Sequence, residues 1–566
     1  MSQPPDNQPQ PAARLTVIAT TDVHGNFFPY NFISRSPWGG SLAAVATFVD
    51  ETRRSRGEEN VLLLDNGDIL QGQPTVYYYN FIDTSTPHIA SRVYDFMAYD
   101  AATIGNHDIE TGHAVYDRFI ASTGVPVLAA NVIDTATGTP YFRPYVVVER
   151  GGVRTAVLGL TTPAIPAWLP ENLWSGLRFE DMEASARKWV PLILEREKPD
   201  LLVGLFHSGN DSSRRTGAFA ENASLEVARA VPGFDIVITG HDHQRFNRVV
   251  MNRLGKSVAV INPANNAQAV AVVDVTFDRD SSTGRLVKKC VSANIRSLDK
   301  VPPSPRFMSA FIADFNSIDA FVSRQAGIAG AEFSSRDAYF GPSAFLDLVH
   351  RLQLDISGAD ISLAAPLSFD ATIAAGPVRV SDMFNLYKYE NLLYTMDMTG
   401  REVRDYLEES YDLWLAPHTS GRRHLLGFSD RNPDRKHNSL KSPAYNFDSA
   451  AGIRYTVDIT RAKGSRVNIL SMTDGRGFEP ERHYRVAVNS YRATGGGDLM
   501  VNGAGIPAAE LKGRILSATD LDMRYYMMKE IERLGRLEPV KVADWKFVPE
   551  DAVAPLVERD RAILFN

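Results

Sequence analysis

The sequence has very little cysteine: Cys290 is the only one among 566 residues. An intramolecular disulfide therefore cannot form, and a metal site built from several thiolates is excluded. No uninterrupted apolar run reaches the roughly 18 residues that a membrane-spanning helix needs. Basic residues are outnumbered, with 60 Lys and Arg against 67 Asp and Glu and a net charge of -7. This balance argues against polymeric nucleic acid as a partner, because such binding depends on basic contacts with phosphates.

The first ten residues, MSQPPDNQPQ, contain neither the basic segment nor the apolar segment of a secretory signal. We therefore interpret residues 1–13 as a disordered polar tail. For the chain as given this predicts a cytoplasmic protein. A periplasmic or cell-surface location follows if a signal has been removed.

The length is too great for a single hydrophobic core, and we expect two large domains. From about residue 14 to 300, apolar β-like runs alternate with amphipathic stretches, which is typical of a layered α/β domain. A proline-rich break at 301–305 is followed by a helical pattern over 306–325, which predicts a linker helix within 301–329. Helix and strand patterns then continue in a second domain from 330 to 566.

Five short segments of the first domain each end a β-like apolar run with residue types that commonly bind metals. They are Asp22-Val23-His24, Gly67-Asp68, Asn106-His107-Asp108, His207-Ser208-Gly209 and Gly240-His241-Asp242-His243. Each should lie at the carboxyl end of a buried strand, where open α/β sheets place their ligands. Seven of the 12 histidines precede residue 300, and five of those seven fall in these segments. Histidines scattered through a core or over a surface would not cluster in this way.

These residue types predict a site for two divalent metal ions. Such a site needs a carboxylate that bridges the ions, a mixed oxygen and nitrogen shell, and open positions for water and phosphate. The bridge is assigned to Asp68. The remaining ligands are Asp22, His24 and His243 for one ion, and Asn106, His207 and His241 for the other. The identity of the metal stays open among Mn, Zn, Co, Fe and Mg, because this ligand set does not select one of them.

The same shell predicts hydrolysis of phosphoesters, since two cations lower the pKa of a bridging water and offset charge on the phosphoryl oxygens. His107 lies beside the ligand Asn106 and is not needed as a ligand itself. We therefore expect it to stabilise the developing charge or to protonate the leaving oxygen. A partner carboxylate would keep His107 cationic, and Asp108 and Glu110 are the nearest in sequence.

This ordered set resembles the metal site of the calcineurin-like metallophosphoesterases. Segments 387–391 (YKYEN), 445–448 (YNFD) and 489–498 (NSYRATGGGD) extend the resemblance to the bacterial 5′-nucleotidase family. Within that family, 65–72 (DNGDILQG) and the last two segments are most similar to the 2′,3′-cyclic-nucleotide 2′-phosphodiesterase/3′-nucleotidase branch. The resemblance covers residues 14 to about 530. It implies a layered α/β metallophosphoesterase domain (14–300), a linker helix (301–329) and an α+β nucleotidase C-terminal domain (330–566).

The resemblance also implies the substrate contacts of the second domain. Tyr389, Asn391 and Tyr491 would bind the nucleotide, with the base stacked between the two tyrosines, an arrangement that gains stacking on both faces of the base. Taken alone, Tyr389 is more typical of a core or interface aromatic. The turn at 495–497 needs glycine for its backbone conformation, which is compatible with either interpretation.

Two departures from the family pattern matter for function. The catalytic histidine of the family is usually followed three positions later by Asp, and Glu110 stands there instead, so the dyad is kept but is one methylene longer. The arginine that 5′-nucleotidases carry for the phosphate is missing from 365–370 (APLSFD). This absence favours the cyclic-phosphodiesterase branch.

We therefore predict a metal-dependent hydrolase of small-molecule nucleotide phosphoesters, with 2′,3′-cyclic and 3′-nucleotides as first substrates. The alternatives are a 5′-nucleotidase or nucleotide-sugar hydrolase, hydrolysis of a sulfur ester on the same scaffold and, as a different class, a nucleotide-binding protein without activity. All seven proposed ligands are present, which argues against a decayed site. The basic stretch at 418–441 is interpreted as a solvated loop, with contact to substrate phosphate as the alternative. The sequence does not predict the oligomeric state.

Overall fold

The computed structural model describes residues 11–211, 215–216, 219–417, 421, 423–429 and 440–565, without the side chains of 215, 216 and 219. Four basic residues of the predicted solvated loop, Arg422, Arg431, Arg435 and Lys436, lie outside the described residues, as do residues 1–10 of the predicted tail. The chain divides into two compact units. They are Met1–Pro166 with Pro170–Ala320, and Ala167–Leu169 with Phe321–Asn566.

The first unit contains two six-stranded sheets. In sheet order, the strands of the first are Leu286–Ser297, Ala269–Arg279, Ala13–Thr20, Val61–Asp65, Ala101–Thr103 and Val127–Leu128. The strands of the second are Arg245–Met251, Ser257–Pro263, Ile236–Thr239, Leu201–His207, Val153–Thr161 and Tyr145–Arg150. Each sheet contains four consecutive parallel strands, which lie between two antiparallel strands in the second sheet and extend to the edge strand Val127–Leu128 in the first. The carboxyl ends of parallel strands share one edge of their sheet, which is where such folds place ligands.

One hydrophobic core joins these two sheets. Val17 and Leu64 of the first sheet belong to the same buried cluster as Val203 and Ile236 of the second. The central strands are mostly apolar because both of their faces are covered, and Val61–Asp65 is buried throughout. The helices Met182–Glu197 and Ser224–Ala230 cover the other face of the second sheet.

Five further described α-helices of the first unit lie before residue 123, and one of them begins with the ligand candidate Asn106. They are Leu42–Arg56, Pro74–Tyr77, Ile89–Met97, Asn106–Ile109 and His113–Ser122. Short ribbons pair Tyr30–Asn31 with Ser36–Pro37, Val132–Asp134 with Leu177–Phe179, and Arg215–Thr216 with Phe219–Ala220. The N-terminus of Leu42–Arg56 is capped by the Ser41 hydroxyl, which accepts from the backbone of Ala44.

The predicted linker helix is two helices, Pro305–Ala310 and Ile312–Ser323. They are separated at Phe311, whose φ of -112° and ψ of 18° are not helical. Phe28 packs against Phe307 and Phe315 with ring centroids 6.1 and 5.4 Å away. The segment up to Ala320 is therefore part of the first unit, because its aromatic side chains complete the packing there.

The second unit is built on a five-stranded mixed sheet. Its strands, in sheet order, are Ser449–Ala451, Ile361–Ala364, His483–Asn489, Leu392–Thr399 and Ile515–Asp522. There are also two three-stranded sheets. The strand order of one is Val467–Met472, Ile453–Asp458, Asp544–Val548. The strand order of the other is Gly376–Arg379, Gln325–Ala329, Arg536–Leu537. A ribbon pairs Phe333–Ser334 with Thr372–Ile373.

The helices of the second unit are Ala344–Ser357, Val380–Leu386, Gly400–Trp414, Ser490–Ala493, Met523–Leu534 and Glu550–Phe565. Its core is rich in aromatic side chains: Trp414 stacks on Phe447 at 5.2 Å, and Tyr455 stacks on Trp545 at 5.7 Å. Leu393 pairs with Asn489 in the five-stranded sheet, so the segments that hold Tyr389 and Tyr491 lie at neighbouring strand ends. In the described parts of the chain no helix is both long and apolar enough to cross a bilayer.

Candidate metal centre

The predicted ligands follow the parallel strands of the first unit. Asp22 and His24 come after Ala13–Thr20, and Asp68 comes after Val61–Asp65. Asn106 begins the short helix after Ala101–Thr103. In the second sheet His207 ends its strand, and His241 and His243 come after Ile236–Thr239. Packing of the two sheets thus brings side chains from distant parts of the sequence into two neighbouring groups.

The first group consists of Asp22, His24 and His243, whose ligand atoms lie within 4.8 Å of one another. His243 Nε2 is 3.3 Å from Asp22 Oδ1 and 3.1 Å from His24 Nε2. His24 Nδ1 donates to the carbonyl oxygen of Gln71 at 3.0 Å, which leaves the lone pair of Nε2 facing the group. Two imidazole nitrogens and a carboxylate oxygen therefore face the same point.

The second group consists of Asp68, His207 and His241, and the amide oxygen of Asn106 joins it. This Oδ1 is 3.1 Å from His207 Nε2 and 2.8 Å from His241 Nδ1. His207 Nδ1 donates to the carbonyl oxygen of Asn66 at 2.7 Å, so its Nε2 also turns inward. Asp68 Oδ2 is buried and lies 3.1 Å from that Nε2.

This donor set fits a pair of divalent cations. The inward atoms are carboxylate oxygens, imidazole nitrogens and an amide oxygen, all of which can coordinate a cation once the imidazoles have given up their inward protons. The mixture of oxygen and nitrogen donors suits first-row divalent metals. Asp68 Oδ1 accepts from the backbone of His107 at 2.8 Å while Oδ2 faces His207, and the charge of this carboxylate also acts on Asp22 and His24 of the first group.

The pKa values of the site's side chains also show that the buried carboxylates call for a positive charge nearby. Burial alone would lower the pKa of His207, but the adjacent Asp68 carboxylate outweighs burial and raises that pKa to about 10. Burial alone would raise the pKa of Asp22, but the hydrogen bond from His243 and the nearby His207 lower it to about 2. A proton on His207 then compensates the buried carboxylate. A bound cation would do the same and would change these pKa values.

The backbone is strained where the ligands are presented. Twelve described residues other than glycine have a positive φ, and five of them are proposed ligands. These five are Asp22, His24, Asp68, His241 and His243, with φ between 49° and 69°. Each such conformation costs on the order of 1 kcal/mol or more and is retained where surrounding structure imposes it. The strain is therefore concentrated in the loops that aim donor atoms inward.

Two glycines allow the ligand loops to approach closely. A Cβ at Gly105 would overlap Asp68 Oδ1 and lie 2.6 Å from the Asp68 amide nitrogen. A Cβ at Gly240 would overlap the Thr21 hydroxyl and lie 2.7 Å from Asp22 Oδ2. Neither position has room for a side chain beside the neighbouring ligand carboxylate, so even alanine would displace that ligand.

His107 lies at the rim of the two groups. Its ring is 5.4 Å from that of His24, and its Nδ1 is 2.5 Å from Glu110 Oε2. Burial alone would lower the pKa of His107, but the Asp68 and Glu110 carboxylates raise it to about 9. The side chain of His107 is 30% exposed and that of Glu110 is 9% exposed. A proton donor is thus held at an accessible edge of the site.

Asp108 has a different environment from Glu110. Its Oδ2 accepts from the backbone of Gly105 at 2.8 Å and of Asp68 at 2.9 Å, and its Oδ1 accepts from Ile69 and Leu70 at 2.8 Å. Both carboxylate oxygens are therefore used to hold the loop that carries Asp68. Of the two carboxylates offered from sequence as partners of His107, the structure brings Glu110 against the imidazole and turns Asp108 toward the backbone.

Several contacts of the ligand histidines were missed from sequence. Gln71 and Asn66 act through backbone carbonyls, which leave no signature in residue type. Asn265 Nδ2 lies 3.1 Å from His243 Nδ1. Glu221 Oε1 lies 3.2 Å from His241 Nε2. The only available signal for Glu221 and Asn265 was a polar side chain near a strand end, which is too common to select them.

The predicted substrate residues lie in segments at neighbouring strand ends of the second unit. Tyr389 is half-buried, and its ring is perpendicular to that of Tyr445 at 6.4 Å. Tyr491 is half-buried beside Gly496, and the Arg492 guanidinium is 5.4 Å from its ring centroid. Asn391 is buried, and its carbonyl accepts from the backbone of Met523 at 2.9 Å. A clamp formed by the two predicted tyrosines stays a prediction.

The buried Arg492 ties two of these segments together. It donates from Nε to Asp448 Oδ2 at 3.0 Å and from Nη1 to the carbonyl oxygen of Gly496 at 2.9 Å. It also donates from Nη2 to the carbonyl oxygen of Tyr445. Charge-assisted bonds of this kind are among the stronger ones, so the turns that carry Tyr445 and Tyr491 are fixed relative to each other.

Family models match both units. A model described as calcineurin-like phosphoesterase matches residues 15–245, and one described as 5′-nucleotidase, C-terminal domain, matches residues 320–503. The 2′,3′-cyclic-nucleotide 2′-phosphodiesterase/3′-nucleotidase of Yersinia enterocolitica is 24% identical over 96% of this chain and 89% of its own. The trifunctional nucleotide phosphoesterase protein YfkN of Bacillus subtilis is 24% identical over 95% of this chain, which spans 39% of that relative's length.

Solved structures agree on the fold. The crystal structure of a 5′-nucleotidase precursor from Thermus thermophilus aligns with a TM-score of 0.62 at 24% identity, covering 95% of this chain and 100% of that one. Other relatives, at 23% and 24% identity, are named 5′-nucleotidases.

The chain belongs to the calcineurin-like phosphoesterases that carry a 5′-nucleotidase C-terminal domain. It is a phosphoester hydrolase with a two-domain α/β architecture. Members of this class use two divalent metal ions, and the two candidate groups described above are its candidate sites for them.

Proposed function

We propose that the chain is a two-metal hydrolase of nucleotide phosphoesters, with 2′,3′-cyclic nucleotides and 3′-nucleotides as its first substrates. The observation that carries the proposal is the convergence of carboxylate oxygens and imidazole nitrogens in two adjacent groups, with the His107–Glu110 pair at their edge. Asp22, His24 and His243 would hold one ion, and Asn106, His207 and His241 the other, with Asp68 shared. Divalent ions at such a site supply Lewis acidity toward phosphoryl oxygens and make water more acidic.

The chain's own residues supply positioning and proton transfer. His107 carries a proton on a ring that Glu110 orients through Nδ1, so Nε2 can donate to a phosphoryl or leaving-group oxygen. Glu110 also compensates the positive charge of the imidazole. Asp108 acts indirectly, because it fixes the backbone from which Asp68 projects. We assign it a positioning role and not a catalytic one.

The nucleotide part of the proposal depends on the second unit. Tyr389 and Tyr491 are partly accessible aromatics at neighbouring strand ends, and stacking on such rings suits any flat base. Asn391, close to Tyr389 in sequence, is proposed to help bind the nucleoside. The names of the relatives that the chain resembles over most of its length point to the same substrate class.

A second candidate function is 5′-nucleotide or nucleotide-sugar hydrolysis. Relatives named 5′-nucleotidases favour it. Residues 365–370 (APLSFD) lack the arginine expected for a 5′-phosphate, which favours the cyclic and 3′-substrates instead.

The experiment is a substrate panel on the purified, metal-reconstituted chain. It should compare kcat/KM for 2′,3′-cyclic AMP, 3′-AMP, 5′-AMP and a nucleotide-sugar with that for bis(p-nitrophenyl) phosphate, which has no base. We expect the cyclic nucleotide and 3′-AMP to be the best substrates. Preference for 5′-AMP would establish the second candidate, and hydrolysis of the base-free ester without hydrolysis of any nucleotide would refute both.

A further inference from the structure

A carboxylate lies behind one of the ligand imidazoles. Glu221 Oε1 is 3.2 Å from Nε2 of His241, while Nδ1 on the inner side of the same ring is 2.8 Å from Asn106 Oδ1. The side chains of His241 and Glu221 are 12% and 15% exposed, so solvent screens their interaction only partly. The ring is thus contacted on both nitrogens, by the candidate metal group on one side and by a negative charge on the other.

The main chain of Glu221 is anchored to the strand ends that build the site. Its carbonyl oxygen accepts from the Thr162 hydroxyl at 3.0 Å and from the Ser208 hydroxyl at 2.9 Å. Thr162 follows Val153–Thr161, and Ser208 follows Leu201–His207, which are adjacent parallel strands. The next residue, Asn222, accepts from the backbone of Gly209 at 3.1 Å through its side-chain oxygen. The scaffold therefore fixes where the Glu221 carboxylate can reach.

The other ligand histidines have neutral outer contacts. The outer nitrogens of His24 and His207 face the backbone carbonyls of Gln71 and Asn66, and that of His243 faces the Asn265 side-chain amide. A carboxylate accepting a proton from the outer nitrogen fixes the tautomer and makes the inner nitrogen a stronger electron donor than a neutral acceptor does. Among these described contacts, such a carboxylate stands behind His241.

We propose that Glu221 is a positioning residue for metal binding: it accepts the Nε2 proton of His241, holds the ring, and strengthens Nδ1 as a ligand in the group of Asp68, His207 and His241. The inference rests on the proposed two-metal function, but it concerns the affinity of one ion and not the identity of the substrate. Because His241 belongs to one of the two groups, the effect of Glu221 should be confined to one ion.

The test is a zinc titration of the full chain after removal of metal by a chelator, with a chromogenic chelator as competitor. Wild-type protein should bind two Zn²⁺ ions. Glu221→Ala should weaken one of the two binding constants by about 10- to 100-fold and leave the other unchanged. Glu221→Gln, which keeps the side-chain size and an acceptor oxygen but loses the charge, should weaken the same constant by less. Thermal unfolding of each metal-free variant checks folding separately.

The matched control is Glu226→Gln, which removes the same charge in the following helix Ser224–Ala230. It should leave both binding constants unchanged. Unchanged zinc binding by Glu221→Ala, equal weakening of both ions, or the same loss in the control would overturn the proposal, as would a wild-type chain that binds no zinc. Failure of the proposed function would be recognised differently, as wild-type protein that binds two ions and hydrolyses no nucleotide.

Discussion

The pairing of Glu110 with His107 leads to a prediction about turnover that is independent of metal binding. Glu110→Gln keeps the length of the side chain but removes its charge. In the native chain Glu110 Oε2 is 2.5 Å from His107 Nδ1, and the Glu110 side chain is only 9% exposed. The amide can still contact the ring, but it no longer stabilises a cationic imidazole. Neither side chain is among the proposed ligands, so both metal groups should remain intact.

The expected magnitude follows from the kind of hydrogen bond that is lost. A hydrogen bond to a charged group contributes about 1.5–3 kcal/mol, and each 1.4 kcal/mol corresponds to a factor of ten, so kcat should fall by about 10- to 150-fold. His107→Ala, which removes the proton donor itself, should cost about 10²- to 10⁴-fold. Glu110→Asp, which shortens the reach by one methylene, should lose less than Glu110→Gln because it keeps the charge.

The assay measures kcat at saturating nucleotide alongside metal content by elemental analysis. Wild-type metal content with reduced kcat supports the assignment. The reasoning would be refuted if Glu110→Gln retained full turnover, or if its loss of activity were matched by loss of metal. Glu149→Gln is a suitable control, since Glu149 is an exposed residue of the edge strand Tyr145–Arg150 and should leave kcat unchanged.

Three further perturbations probe other parts of the account. Asp68→Ala removes the shared carboxylate, so both ions should be lost together with activity; full metal occupancy by elemental analysis would contradict this. Gly105→Ala forces a Cβ against Asp68 Oδ1, so metal affinity should drop although no ligand is changed, and unaltered zinc binding would show that the loop has room. Tyr389→Ala and Tyr491→Ala should each lose roughly 1–3 kcal/mol of stacking, or about five- to 150-fold in kcat/KM on nucleotides, while bis(p-nitrophenyl) phosphate is hydrolysed at the wild-type rate. Equal losses on both substrates would remove the base clamp.

The strands that carry the site were predictable because they are buried on both faces. The apolar runs that precede the five ligand segments are the strands Ala13–Thr20, Val61–Asp65, Ala101–Thr103, Leu201–His207 and Ile236–Thr239. Run length and the polar residue at its end are properties of local sequence, which is why the fold class and the grouping of the seven ligand candidates could be anticipated. The fold class is confirmed by the family matches and the solved structures.

What the sequence did not predict depends on contacts between distant segments. The break at Phe311 comes within a continuous helical pattern, and the aromatic packing on Phe28 that accompanies it is invisible in local periodicity. The sequence offered both Asp108 and Glu110 as nearby carboxylates, and only the resemblance pointed to Glu110 as the partner of His107. The tight turn that aims Asp108 at four backbone amides depends on the neighbouring loop. The position of Glu221 beside His241 depends on Thr162 and Ser208, which follow two adjacent strands and donate to the Glu221 carbonyl oxygen.

The central claim is that two metal ions, held by the seven proposed ligands, are required for phosphoester hydrolysis. Metal titration of the stripped chain, with bound metal and hydrolysis of bis(p-nitrophenyl) phosphate measured on the same samples, tests it most directly. We predict no hydrolysis without metal, activity that rises as the second ion binds, and saturation at two ions per chain. Full activity in metal-free protein, or saturation of both signals at one ion, would contradict the account.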